Sequence, residues 1–306
     1  MQPTRFYYMI RPLIPRKIQV FLRKHYLRKI YLKHKDQWPI NSKDLQKPKS
    51  WKGWPGGKRF SFVLTHDVET DVGQNRVADL MKVEQDLGYT SSFNFVPERY
   101  KVSKDIREML VQNGFEVGVH DLRHDGKLYH SKKVFLESAV RINEYLKEWG
   151  SVGFRSGAMH HNLELINALH IEYDASTFDH DPFEPQPDGV STIFPFWVPP
   201  SGYGKGYVEL PYTLPQDFTL YILMGEKSID IWKKKLDWVA ANGGMVLLIT
   251  HPDYMNFDGN KPRFDEYPIQ LYLDLLDYVK SQYGDQYWNV TPREVARYIR
   301  KCTNTD

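Results

Sequence analysis

The sequence predicts an α/β chain: a closed, TIM-like barrel of about seven parallel strands, preceded by a basic amphipathic helix. Three observations carry this. Short β-rich runs alternate with helical patterns from residue 59 onward, which implies parallel strands joined by crossover helices. About seven such units fill the remaining chain, which suits a closed barrel better than an open sheet. His, Asp and Arg recur where strands stop, the end of such a barrel at which active sites assemble.

Charge is distributed unevenly. Residues 1–50 hold 13 of the 41 Lys+Arg but 2 of the 38 Asp+Glu, a balance of +11, and residues 51–306 carry −8. A basic arm on a mildly acidic body argues against a nucleic-acid partner. Hydrophobic residues at 41% and aromatics at 14% exclude a disordered chain. One cysteine, Cys302, excludes a disulfide framework and a zinc site of several thiolates, and close to the chain's end it reads as inert. No apolar run approaches the ~18 residues of a membrane span. Arg11, Arg16 and Lys17 interrupt any signal-peptide core, so a cytoplasmic chain is expected.

Residues 14–34 read as one helix starting near Pro15. Ile14, Ile18, Phe21, Leu22, Leu27, Ile30 and Tyr31 recur at roughly helical spacing. Such a helix either lies on an anionic membrane surface or packs its apolar stripe on the body. Residues 36–58, rich in Pro, Gly and Lys, read as a linker. This gives an arm and linker over 1–58 and a barrel domain over 59–306. RFSFVLTHD opens the barrel and precedes a helix near 74–88; TSSFNFVP precedes one near 103–113. FEVGVHD leads to a helix near 131–149, and VGFRS to one near 162–169. IEYDAS, a long loop and YVELPYTL follow. A helix near 228–242, MVLLITHP, and helices near 268–282 and 292–301 complete the chain. There is no internal repeat.

Asp67 and Glu69 follow the first strand, His120 and His124 the third; Arg155 ends the fourth, Asp174 lies in the fifth, and His251 ends MVLLIT. The two His of HDLRHDG can converge on one metal. With one carboxylate they make a set that leaves coordination positions open, as in hydrolytic zinc sites. THDVE supplies two carboxylates: if one binds metal, the other can take a proton from bound water. Asp71 reads as a cap of the following helix. His251 is placed to protonate a leaving group. Arg155 in a barrel mouth requires a carboxylate, for which Asp67 is the natural partner.

In order, over roughly residues 60–255, these motifs resemble the polysaccharide deacetylase (NodB-homology) family of carbohydrate esterases. THDVE resembles the first acidic motif, in the variant with one residue between its acids. HDLRH resembles the HxxxH, RSGA the arginine motif, YDASTFD an Asp-containing motif, and LITHP the closing leucine–histidine motif. The resemblance implies a distorted barrel and a divalent metal, most often zinc, held by Glu69, His120 and His124. It implies Asp67 as general base, oriented by Arg155, and His251 as general acid tuned by an Asp. Asp174 is favoured for that role, with Asp179 and Asp181 as alternatives. The reaction implied is hydrolytic removal of an N-acetyl group from an amino sugar in a polysaccharide or glycan precursor. A backbone N–H near Ala158 would help hold the oxyanion. Three departures stand out: Val68 separates the two acids and Glu69 replaces the second aspartate, the arginine motif lacks the proline and tyrosine that often follow it, and His66, which reads equally as a support of the site or as part of the core, stands where an aromatic is common. Aromatics around the loop 193–207, with Trp197 and Tyr212 as substrate-binding residues, are expected to stack on the sugar. The alternatives are hydrolysis of a non-sugar C–N amide or imide bond, and a catalytically inactive glycan-binding relative. The arm, outside every motif, is expected to set location, with residues 14–34 in peripheral contact with a membrane's inner face.

Overall fold

The computed structural model describes residues 14–48 and 51–303. Its main sheet contains β1 (Phe60–Val68), β2 (Ser91–Phe95), β3 (Glu116–His120), β4 (Gly153–Arg155) and β5 (Tyr173–Asp174). It continues with β6 (Phe196–Val198), β7 (Tyr207–Glu209) and β8 (Met245–Thr250). Seven of these strands run parallel in the order β8-β1-β2-β3-β4-β5-β7, and β6 pairs antiparallel outside β7. The ring shuts irregularly. Backbone N–H groups of Thr213 and Leu214, beyond β7, both donate to the Leu247 carbonyl of β8, at 3.1 and 3.2 Å. This is the distorted barrel the sequence led us to expect. Beyond β8 come the short pair β9 (Met255–Asn256) and β10 (Tyr267–Pro268), and β11 (Tyr287–Asn289), parallel to the start of β1.

Alternation along the strands decides which side chains enter the barrel. Val63 of β1 and Met245, Leu247 and Ile249 of β8 share an inner cluster with Tyr173, Ala175, Val208 and Leu210. Phe60, Phe62 and Leu64 point the other way, into the layer between sheet and helices, with Phe93, Phe95, Val246 and Leu248. β1 and β8 are buried on both faces along their whole length, as parallel strands under helices must be.

The helices are α1 (Arg16–His34), α2 (Asp71–Asn75), α3 (Val77–Leu87), α4 (Lys104–Gln112) and α5 (Lys132–Trp149). They continue with α6 (Leu163–Ile166), α7 (Asp230–Ala241), α8 (Gln270–Tyr283) and α9 (Pro292–Thr303). Ser103, Ser131 and Asn162 cap α4, α5 and α6 by accepting a backbone N–H three residues on. Gly150, at φ 63, closes α5 in the left-handed conformation a glycine adopts without strain. Three elements differ from expectation. The helix expected near 74–88 is broken at Arg76 into α2 and α3, and that near 162–169 is a single turn. A π-helical turn, Phe218–Met224, follows Asp217 where no helix was foreseen.

The arm packs on the barrel. Val20, Leu27 and Trp38 join the core layer that includes Phe218, Leu220 and Tyr254. The apolar stripe read from sequence is split, however: Leu27 is buried, whereas Ile18, Phe21, Leu22 and Tyr31 are exposed. No helix among the described residues is long and apolar enough to cross a membrane.

Candidate active site at the barrel mouth

Asp67 and Glu69 are one residue apart, so both project to the side of Val63, into the barrel. A directly adjacent pair in an extended strand would point to opposite faces. Asp67 Oδ1 accepts from Arg155 Nη1 at 2.8 Å and from Asn94 Nδ2 at 2.9 Å. Arg155 is anchored in turn by donating to the Ala175 carbonyl and the Thr65 hydroxyl, at 2.8 and 3.0 Å. Burial opposes the Asp67 charge, but Arg155, His120, His251 and Asn94 hold its carboxyl well below the usual carboxylate range. The expected Asp67–Arg155 pairing is present.

Glu69, His120 and His124 place one ligand atom each within 4.8 Å of one another. His120 Nδ1 lies 3.1 Å from the Arg155 carbonyl, to which it donates in the tautomer that leaves Nε2 toward the site. That Nε2 is buried with no hydrogen-bond partner among the described residues, and sits 3.8 Å from Asp67 Oδ2. His124 Nε2 is 3.2 Å from Glu69 Oε1. Two imidazoles, a carboxylate and an orphaned buried nitrogen fit a divalent cation. Burial lowers the His124 pKa to about 4, which keeps the ring neutral, the form that binds metal. Burial also opposes the Glu69 charge, which His124, His251, Arg99 and His120 stabilise.

The loop that carries His120 and His124 is strained into place. Asp121 and His124 have φ of 58° and 53°, a region non-glycine residues occupy at a cost of roughly 1–2 kcal/mol each. Asp121 offsets this: Oδ1 accepts the Leu122 N–H at 2.6 Å, and Oδ2 accepts that of Gly157 at 3.0 Å. Gly157 is small by necessity, since a Cβ there would stand 2.8 Å from the His124 ring. The next two residues, Ala158 and Met159, are also left-handed, at φ 54° and 52°.

His251 directly follows β8, on the inner parity. Its partner is Asp217, not Asp174. Asp217 Oδ1 lies 2.7 Å from His251 Nδ1, and Oδ2 accepts the His251 backbone N–H at 2.7 Å and the Tyr267 hydroxyl at 2.9 Å. Burial would lower the His251 pKa, but Asp217, Glu69 and Asp67 together push it up to about 10. Asp174 is on the wrong side of the sheet. It is in register with Phe154 and Glu209, opposite in parity to Tyr173 and Ala175, and binds Ser176. Asp179 pairs with Lys235, and Asp181 accepts from Tyr212.

Three other expectations are revised, and of the two readings of His66 the core one holds. His66 faces outward and ties the sheet to its helices, with Thr250 and Glu84 each 2.7 Å from its ring nitrogens. The cap of α2 is Thr70, whose hydroxyl accepts the Val72 N–H, and Asp71 is the helix's first residue. Tyr212 is 1% exposed, with its hydroxyl spent on Asp181 and Glu184, so it offers no ring face to a sugar. Trp197, on β6, lines a cleft of about 210 Å³ with Trp51 and Tyr298, apart from the residues above. Sequence reading also passed over Asn94, Asp217 and Tyr254, whose hydroxyl donates to Glu69 Oε2 at 3.3 Å.

No protein-family model and no curated protein matches the sequence. Solved structures do. A polysaccharide-deacetylase candidate from Mycobacterium smegmatis superposes with a TM-score of 0.63 at 17% identity, covering 84% of this chain and 96% of its own. Another from Pseudomonas aeruginosa PAO1 gives 0.64 at 16%, covering 84% and 95%. Puue allantoinase gives 0.63 at 16%, covering 87% and 98%. The chain therefore has the polysaccharide-deacetylase fold, as the ordered motifs led us to expect.

Proposed function

We propose that the chain is a metal-dependent hydrolase that removes the N-acetyl group from an N-acetylated amino sugar in a polysaccharide or glycan precursor. One observation carries this reading. Asp67 with its Arg155 clamp, the Glu69–His120–His124 group and the His251–Asp217 pair meet at one end of the barrel. When bound by Glu69, His120 and His124, a divalent metal, zinc in this reading, supplies Lewis acidity and a water of lowered pKa. Asp67 takes the proton of the attacking water on Oδ2, while Arg155 and Asn94 hold Oδ1. His251 delivers a proton from Nε2 to the departing amine, with Asp217 fixing the ring through Nδ1. A backbone N–H near Ala158 serves as oxyanion donor. The activity belongs in the cytoplasm, with residues 14–34 in peripheral contact with a membrane's inner face. The test is metal analysis combined with acetate release from N-acetylhexosamine oligomers. Wild type should do both, Asp67→Asn should keep metal and lose release, and His124→Ala should lose both. Metal without release in wild type overturns the substrate.

A second reading, hydrolysis of a non-sugar amide or imide, is favoured by one observation. Neither Trp197 nor Tyr212 offers a ring at the site. Cyclic amides assayed beside the oligomers separate the two.

A further inference from the structure

Helix α1 has two faces, and the fold uses one. Val20 and Leu27 are buried against the barrel, and the Arg16 and Arg23 guanidiniums lie 5.3 and 4.7 Å from the Phe218 ring centre. On the opposite face, Ile18, Phe21, Leu22 and Leu32 recur at helical spacing and are 48, 58, 49 and 69% exposed. Ten large hydrophobic side chains are exposed among the described residues, and Tyr26 and Tyr31 bring the share of α1 to six. A seventh, Phe264, lies 5.4 Å from Lys17 Nζ, beside the same helix. The other three are single valines on three separate helices. Exposed apolar surface is therefore concentrated in one place, which marks an interaction surface.

Its charge identifies the partner. Residues 14–35 contain eight Lys and Arg and no Asp or Glu. Lys17 and Arg28 flank the apolar stripe on one side and Lys33 on the other, with Lys29 within it, as 3.6 residues per turn requires. A second copy of the chain would set this all-cationic strip against itself, which like charges oppose. An anionic bilayer satisfies both parts: apolar side chains enter the headgroup boundary and Lys and Arg meet lipid phosphates. The docked helix also reaches the site. Arg16 Nη2 donates to the Tyr254 hydroxyl at 3.2 Å, and that hydroxyl donates to Glu69. We propose that the outward face of α1 docks on an anionic lipid bilayer, and that the amino sugar hydrolysed next to it is carried at that surface. The second clause rests on the deacetylase reading; the first does not.

The test is flotation of the full chain with vesicles of phosphatidylcholine alone, and with about a third phosphatidylglycerol. Binding should require the anionic lipid and weaken with salt. Phe21→Ser/Leu22→Ser and Arg28→Glu/Lys29→Glu should each lower bound protein roughly tenfold or more. These side chains are exposed, so unchanged thermal melting checks that both variants fold. Absence of flotation, or flotation indifferent to both pairs, overturns docking. So does a solution dimer abolished by Phe21→Ser/Leu22→Ser without vesicle binding, which would make a second copy the partner. Flotation needs no substrate, so it can fail while acetate release stands. In the second arm, Phe21→Ser/Leu22→Ser should slow acetate release from a vesicle-borne N-acetylated glycolipid and leave a soluble oligomer unaffected. Equal rates on both overturn the surface-carried substrate.

Discussion

Asp217 holds His251 by two atoms at once: Oδ1 stands 2.7 Å from the ring Nδ1, and Oδ2 accepts the backbone N–H at the same distance. Ring and main chain are thus fixed by one carboxylate, which the Tyr267 hydroxyl steadies. Asp217→Asn keeps the shape and removes the charge that raises His251. Turnover is expected to fall about 10²–10⁴-fold, with metal content unchanged. Acetate release and metal analysis on one preparation check both halves. A variant that turns over like wild type would remove His251 from the proton path.

The metal prediction is separate. His120 Nε2 is buried with no hydrogen-bond partner among the described residues, so zinc should bind there and raise the melting temperature. Chelation should remove the gain, and His120→Ala should abolish it. Calorimetry with and without metal reads this without any substrate.

Asn94 and Gly118 give a test at one remove. A Cβ on Gly118 would overlap Asn94 Oδ1, and Asn94 donates to Asp67. Gly118→Ala should therefore displace Asn94, costing about 1–3 kcal/mol of stability and lowering turnover with metal retained. Denaturant melts beside acetate release would show whether the two losses travel together.

Glu184 lies beside Asp181, Tyr212 and Gln216, with Arg23 of α1 nearby. Burial first, then Asp181, pushes its carboxyl up to about 8. A carboxyl raised on folding holds its proton more tightly in the native state. Wild type should then lose stability as pH rises from about 4.5, where the unfolded group titrates, to about 8. Glu184→Gln removes this dependence, so its advantage should grow across that window, to about 5 kcal/mol at most, and level off above it. Melting curves at pH 5, 7 and 9 decide it, and a constant difference would refute it.

Much of the site was readable because strand ends announce themselves: THDVE, HDLRH and LLITH each close a buried run with polar residues. Alternation, applied residue by residue, would have gone further. It sends His66 outward with Phe62 and Leu64, and sends Asp174 away from the face of Tyr173 and Ala175. Asp217 was harder to see. It follows YVELPYTL by three residues, in a segment that closes the ring by two hydrogen bonds to Leu247 and then winds into a π-turn. Neither step has a periodic signature. The split stripe of α1 was hidden for another reason. Periodicity shows that a helix has an apolar face, and only tertiary packing shows which face the barrel takes.

The packing of α1 on Phe218 bears on where this enzyme-like unit begins. Asp217, which grips His251, also caps the turn that starts at Phe218, accepting its N–H at 2.7 Å. Phe218 in turn lies under Arg16 and Arg23. A chain started at residue 59 would retain every motif and still lose the roof over Asp217, the residue that grips His251. The sequence motifs mark where the chemistry is written; the packed unit extends some fifty residues upstream of the first of them, to Arg16.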